Sequence, residues 1–186
     1  MDTDTNQIET TRTGQYLTFR LAEEVYALDI GKVREVLEYD RVTKVPKTPP
    51  FLTGVINLRG KVVPVVDLRL KFGMEKTEKT VDTCVIITEI QIDNEMTQIG
   101  AMADSVWEVI EIDPDKIEPA PKIGTQLDTR FIEGMGKHND DFIIILNINR
   151  VFSNEEMTLF QAASDSGTGT VDAASENNAE ETATDG

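Results

Sequence analysis

The sequence predicts an all-β protein with a few short helices, a small barrel or sandwich assembled from two copies of one small β unit. Three observations carry that expectation. Apolar residues alternate over many short segments bounded by turn-forming residues. Helical periodicity is confined to a few brief stretches. The second half of the chain also echoes the first at nearly constant spacing.

Tyr16 to Leu21 places Leu17, Phe19 and Leu21 on one side, and Val25 to Ile30 places Tyr26, Leu28 and Ile30 on one face. Ala22-Glu23-Glu24 between them reads as a hairpin. Gly31 to Leu37 reads as a two-turn helix with Val33, Val36 and Leu37 on one side, a length that is marginal without packing. Val55–Leu58 and Val62–Val66 flank a tight turn at Arg59-Gly60-Lys61, and Asp67–Phe72 reads as another short helical turn. Cys84–Ile90 and Thr97–Ala103 form a third hairpin around Asp93-Asn94-Glu95. Phe142–Leu146 is a buried strand entered through the turn His138-Asn139-Asp140-Asp141. The last helix has a capping box, Ser153-Asn154-Glu155-Glu156, ahead of Met157, Leu159 and Phe160.

The internal echo is specific enough to align. At an offset of 73, Val33-Arg34-Glu35-Val36-Leu37 lies over Val106-Trp107-Glu108-Val109-Ile110. At an offset of 80, Phe51-Leu52-Thr53-Gly54 lies over Phe131-Ile132-Glu133-Gly134, and Val62–Val66 over Phe142–Leu146. Asn57-Leu58-Arg59-Gly60 does not recur; it faces Lys137-His138-Asn139-Asp140. A residue demanded by the common fold should recur, whereas one serving a site need not. Arg59 is therefore the leading functional candidate.

Composition narrows the function. The 186 residues carry 34 acidic and 18 basic side chains, a net charge of −16. A nucleic-acid binder needs a basic stripe, and an anionic membrane surface would repel this chain. The single cysteine, Cys84, cannot close an intramolecular disulfide, and no C-x-x-C pair offers a thiolate zinc site. Residues 1–15 lack the order of a signal peptide and read as a disordered leader. Apolar runs are far shorter than the roughly 20 residues of a membrane helix, so a cytoplasmic protein is expected. Residues 164–186 hold six carboxylates and no Lys or Arg, and read as a disordered acidic tail. Between these ends, residues 16–79 hold 12 basic and 9 acidic residues, and residues 80–163 hold 5 and 16. Such an imbalance suits head-to-tail pairing with partners.

Enzyme signatures are thin, and no catalytic, cofactor-binding or metal-binding residue is assigned. His138 stands alone in a surface turn, with no second His or Cys for a triad or a transition-metal cluster. Cys84 sits in a strand beside Val85, Ile86 and Ile87, as a packed side chain. Gly134-Met135-Gly136-Lys137 lacks the Ser or Thr and the first Gly of a phosphate loop. Asp113-Pro114-Asp115 and Asp140-Asp141 lack calcium-loop spacing and look like turn formers. A metal-dependent hydrolase built on such acidic turns stands as the alternative from a different class.

Gly54-Val55-Ile56-Asn57-Leu58-Arg59-Gly60 resembles the CheW-like family of bacterial chemotaxis adaptors. The resemblance covers about residues 16–163. It includes Val33-x-Glu35-Val36, Thr48-Pro49, Val62-Val63-Pro64-Val65-Val66-Asp67-Leu68-Arg69, Ile117-x-Pro119-x-Pro121 and Asn154-Glu155-Glu156-Met157. It implies two five-stranded SH3-like β-barrel subdomains on a shared core, with the changeover near residue 80 and a C-terminal helix.

The resemblance also implies a non-enzymatic adaptor, monomeric in isolation and assembled in arrays. Its partners would be the regulatory domain of the histidine kinase CheA and the cytoplasmic tips of methyl-accepting chemoreceptors. The protein would be cytoplasmic and recruited to receptor clusters without inserting in the membrane. By position, Arg59 matches the arginine of an Asn-Leu-Arg-Gly hairpin (Asn57, Leu58, Arg59, Gly60) tied to receptor and kinase coupling. Glu35 matches its expected acidic partner, and Val33 and Val36 match a receptor-facing surface. Val85 and Ile87 are further candidates, and Gly54 matches a glycine whose replacement would disturb the strand leading to the site. Neighbouring readings are a scaffold of another chemosensory system, such as one controlling pili, and a kinase's regulatory module. The latter is disfavoured by the chain's end soon after the family's final helix.

Overall fold

The computed structural model describes residues 14–120 and 128–164. The leader, apart from residues 14 and 15, and the tail from residue 165 on lie outside the described residues, as does Pro121. Ten strands follow in chain order. These are β1 (Gln15–Leu21), β2 (Glu24–Asp29), β3 (Val33–Glu38), β4 (Leu52–Leu58), β5 (Lys61–Asp67), β6 (Cys84–Ile92), β7 (Glu95–Ala103), β8 (Ser105–Glu111), β9 (Ile132–His138) and β10 (Asp141–Leu146). Helix α1 (Leu68–Lys71) follows β5, α2 (Ile148–Val151) follows β10, and α3 spans residues 154–164.

The three expected hairpins form, and the turn before Phe142 closes a fourth between β9 and β10, each with a two-residue loop. In three of them both loop residues have positive φ: Arg59 (52°) and Gly60 (85°), Asp93 (48°) and Asn94 (67°), and Asn139 (52°) and Asp140 (69°). That is the type I′ pattern, whose twist matches that of the flanking strands. The capping box also forms: the Ser153 amide donates to Glu156 Oε1 at 2.8 Å, and the Glu156 amide donates to Ser153 Oγ at 3.1 Å.

The expected helix over 31–37 is not there. A single 3-10 turn at Ile30–Lys32 leads directly into β3, which pairs antiparallel with β6. Val33 and Val36 are β-branched, two helical turns could not support themselves, and the edge of β6 offered the backbone a ladder of hydrogen bonds. The consequence is a regrouping of side chains. Val33, Glu35 and Leu37 are half-buried, and Arg34, Val36 and Glu38 face solvent.

The strands form two five-stranded sheets, in the orders β8-β1-β2-β10-β9 and β3-β6-β7-β5-β4. Pairing is antiparallel except where β10 meets β2 and β5 meets β7. The order explains the internal echo: β3 and β8 are equivalent, as are β4 and β9, and β5 and β10. Neither repeat closes a sheet by itself, because each sheet combines three strands from one repeat with two from the other. Residue 80 lies within the span of one sheet. One unit is continuous over residues 33–103; the other joins the first hairpin to residues 105–146. Charge regroups with it. Residues 33–103 hold ten basic and ten acidic side chains, whereas residues 16–32 and 104–163 together hold 7 and 15.

A large apolar cluster lies between the sheets. It takes Phe19, Leu21 and Tyr26 from one, Val66, Ile86 and Ile99 from the other, and Phe152, Met157 and Phe160 from the C-terminal segment. Each sheet also curls around a smaller core of its own, with Ile110, Ile143 and Ile145 in one and Val63, Val85, Ile87 and Met102 in the other. Polar stitches cross the junction. Arg69 Nη1 donates to Asp104 Oδ2 at 3.2 Å, and the same carboxylate oxygen accepts the Ala22 amide at 2.7 Å. Lys71 Nζ holds Glu156 at 2.7 Å while lying over the rings of Phe51 and Phe131.

Candidate functional site

Strands β3 and β4 are the two outer strands of their sheet, so curling brings them towards each other. Glu35 on β3 meets Arg59 at the tip of the β4–β5 hairpin through two contacts. Arg59 Nη1 lies 2.9 Å from Glu35 Oε2, and Nη2 donates to Oε1 at 3.1 Å. This two-pronged geometry fixes the plane of the guanidinium as well as its position. The Arg59 side chain is 73% exposed against 26% for Glu35, so the arginine is presented to solvent on a partly buried carboxylate. The hydrogen bond and charge of Glu35 raise the Arg59 pKa above its ordinary value.

The neighbours of Arg59 set its frame. Asn57 Oδ1 accepts the Gly60 amide at 2.9 Å across the turn, and Leu58 packs half-buried against the core of the unit. A Cβ at Gly60 would touch nothing within 4 Å, so only its positive φ calls for glycine. Gly54 is different. A Cβ there would lie 2.2 Å from the carbonyl oxygen of Thr43, which pairs with Val55 on the next residue of β4.

The other expected contact residues divide. Val36 is 39% exposed and stands outward on β3, whereas Val33 packs against the central core. Val85 and Ile87 are 2% and 0% exposed. Both are inward residues of β6, with partners in the barrel core. Val85 nonetheless forms part of the wall of a trough between β3 and β4, together with Leu37, Val42 and Ile56.

The second unit carries a counterpart that sequence reasoning missed. Glu108 on β8 is the repeat equivalent of Glu35, and its Oε1 lies 3.8 Å from Nε2 of His138 at the end of β9. Beside it Trp107 and Val109 are 56% and 48% exposed, Val109 being the equivalent of Val36. The offset of 73 pointed to this strand, but the helical reading of Val33–Leu37 hid which of its residues face outward.

No group of three or more His, Cys, Asp and Glu side chains among the described residues is placed to hold a metal ion. Burial pushes the Cys84 thiol pKa up, which disfavours its thiolate. No helix among the described residues is long and apolar enough to cross a membrane.

Comparison with known proteins agrees with this architecture. The CheW-like domain model matches residues 15–156. The chain is 36% identical over 145 residues to a chemotaxis protein CheW of Klebsiella aerogenes, covering 78% of this chain and 85% of that protein. It is 33% identical over 146 residues to the chemotaxis protein CheW of Bacillus subtilis, covering 77% and 90%. Among solved structures, the scaffolding protein TtCheW from Thermoanaerobacter tengcongensis superposes with a TM-score of 0.69 at 44% identity, covering 76% of this chain and 88% of that one.

Proposed function

The chain belongs to the CheW-like family, and on that premise we propose that it couples the cytoplasmic tips of transmembrane chemoreceptors to the regulatory domain of the histidine kinase CheA. It is a chemotaxis scaffold protein with the two-unit SH3-like fold, not an enzyme. Coupling of this kind makes and breaks no bond. Contacts of modest area give weak pairwise affinity, and simultaneous engagement of receptor and kinase supplies avidity. Stimulus then reaches the kinase as a population shift in the assembled complex. Recruitment to receptor clusters follows from that binding and requires no insertion in the membrane.

The observation that carries the reading is the exposed arginine on its two-pronged carboxylate, beside outward Val36. The repeat keeps an acid at the equivalent position but replaces the arginine hairpin. The fold therefore does not require Arg59, and a partner can. The exposed Trp107 and Val109 edge gives the other unit a second face, as a linker between two partners needs.

Reconstitution with receptor-containing membranes and kinase tests this. Arg59→Glu places two acids face to face and should lower kinase activation at least tenfold, while far-UV circular dichroism and the melting temperature stay within about 2 °C of wild type. Full activation by the variant would overturn the assignment of Arg59.

A further inference from the structure

Between Arg41 and Val66 the chain holds five basic residues and no carboxylate, in a protein of net charge −16. The fold lays part of this stretch along one edge. Thr43 and Val55 exchange backbone hydrogen bonds of 2.8 Å in both directions, which seats the segment around residue 43 beside β4. Val42 packs against the barrel core, leaving Arg41, Lys44 and Lys47 exposed. None of these three enters an ion pair among the described residues. With Lys61 they make a basic strip next to the candidate site, where Arg59 is already paired with Glu35.

We propose that the acidic segment after Ser164 docks on this strip. Residues 165–186 hold six carboxylates and no Lys or Arg, so both halves of the charge complementarity belong to one chain. The attachment point is near. Phe51, four residues beyond Lys47, packs against Phe160 with ring centroids 6.4 Å apart, and Phe160 lies one helical turn before Ser164. These links place Ser164 within about 35 Å of Lys47, whereas 22 residues reach about 70 Å when extended. Tethering at that range gives an effective concentration of about a millimolar, enough for weak multivalent pairing without apolar burial. The inference concerns the isolated chain, so it stands or falls separately from the adaptor reading.

The test is paramagnetic relaxation in the full-length chain, with a nitroxide at Ser175→Cys in a Cys84→Ser background. Amide signals of residues 41–48 should lose at least about twice the intensity lost by residues 138–141 at about 20 mM salt, and the difference should vanish at about 0.5 M. It should also vanish when Arg41, Lys44 and Lys47 are replaced by Gln. Uniform broadening, broadening centred elsewhere, or a difference unchanged by salt would overturn the proposal. So would equal broadening in a mixture where label and isotope sit on different molecules, which would assign the contact to a second copy.

Discussion

Arg59 owes its orientation to a small number of neighbours, each doing something different. Asn57 closes the turn, Gly60 supplies the positive φ, and Glu35 fixes the guanidinium from another strand. Gly54 acts at a distance, through the close approach of Thr43 to β4. Gly54→Ala should therefore push the Thr43 segment off β4 and lower stability by about 1–3 kcal/mol. Chemical denaturation would read that loss, and a variant as stable as wild type would show that the segment shifts without cost. Arg59, Asn57 and Gly60 were legible in the sequence because the hairpin has a strong local signature and fails to recur. Burial of Val85 and Ile87 was not, since a strand with apolar residues in succession does not announce which face meets the core.

Among the elements, α3 is the one whose attachment can be titrated. Burial opposes ionisation of Glu156, but hydrogen bonds and charge from Lys71, with those from Ser153, outweigh it and hold its pKa below the ordinary 4.5. Because the folded pKa is depressed, the ionised group stabilises the fold above about pH 4.5, and that contribution disappears as pH falls through the lower folded value. In Glu156→Gln the amide can still accept from the Ser153 amide, so the variant isolates the loss of charge facing Lys71. Its melting temperature should lie below wild type at pH 7 and converge with it as pH falls through the lowered folded value. Parallel curves would place the stabilisation elsewhere. Helix α3 was legible from its capping box, which is local chemistry. Strand β3 was not, because Val33, Val36 and Leu37 fit helical spacing equally well, and only the free edge of β6, almost fifty residues on, decided between them.

At the scale of the whole molecule, charge follows the sheets and not the halves of the chain. The unit containing residues 33–103 is neutral, and the excess of acid sits on the other. Binding of the kinase regulatory domain should weaken as salt rises from about 50 to 500 mM, where the screening length falls from about 14 to about 4 Å. A flat response would make the asymmetry incidental to assembly. Repetition of a β unit was visible in the sequence, but the exchange of strands between repeats was not, because pairing over such separations leaves no local trace. That exchange has a consequence for synthesis. The β1–β2 hairpin leaves the ribosome first, yet its sheet partners β8 and β10 follow only as far on as residue 146. At about 5–20 residues per second, the first-made hairpin waits roughly 6–23 s for its neighbours, while the middle of the chain can close its own sheet ahead of it.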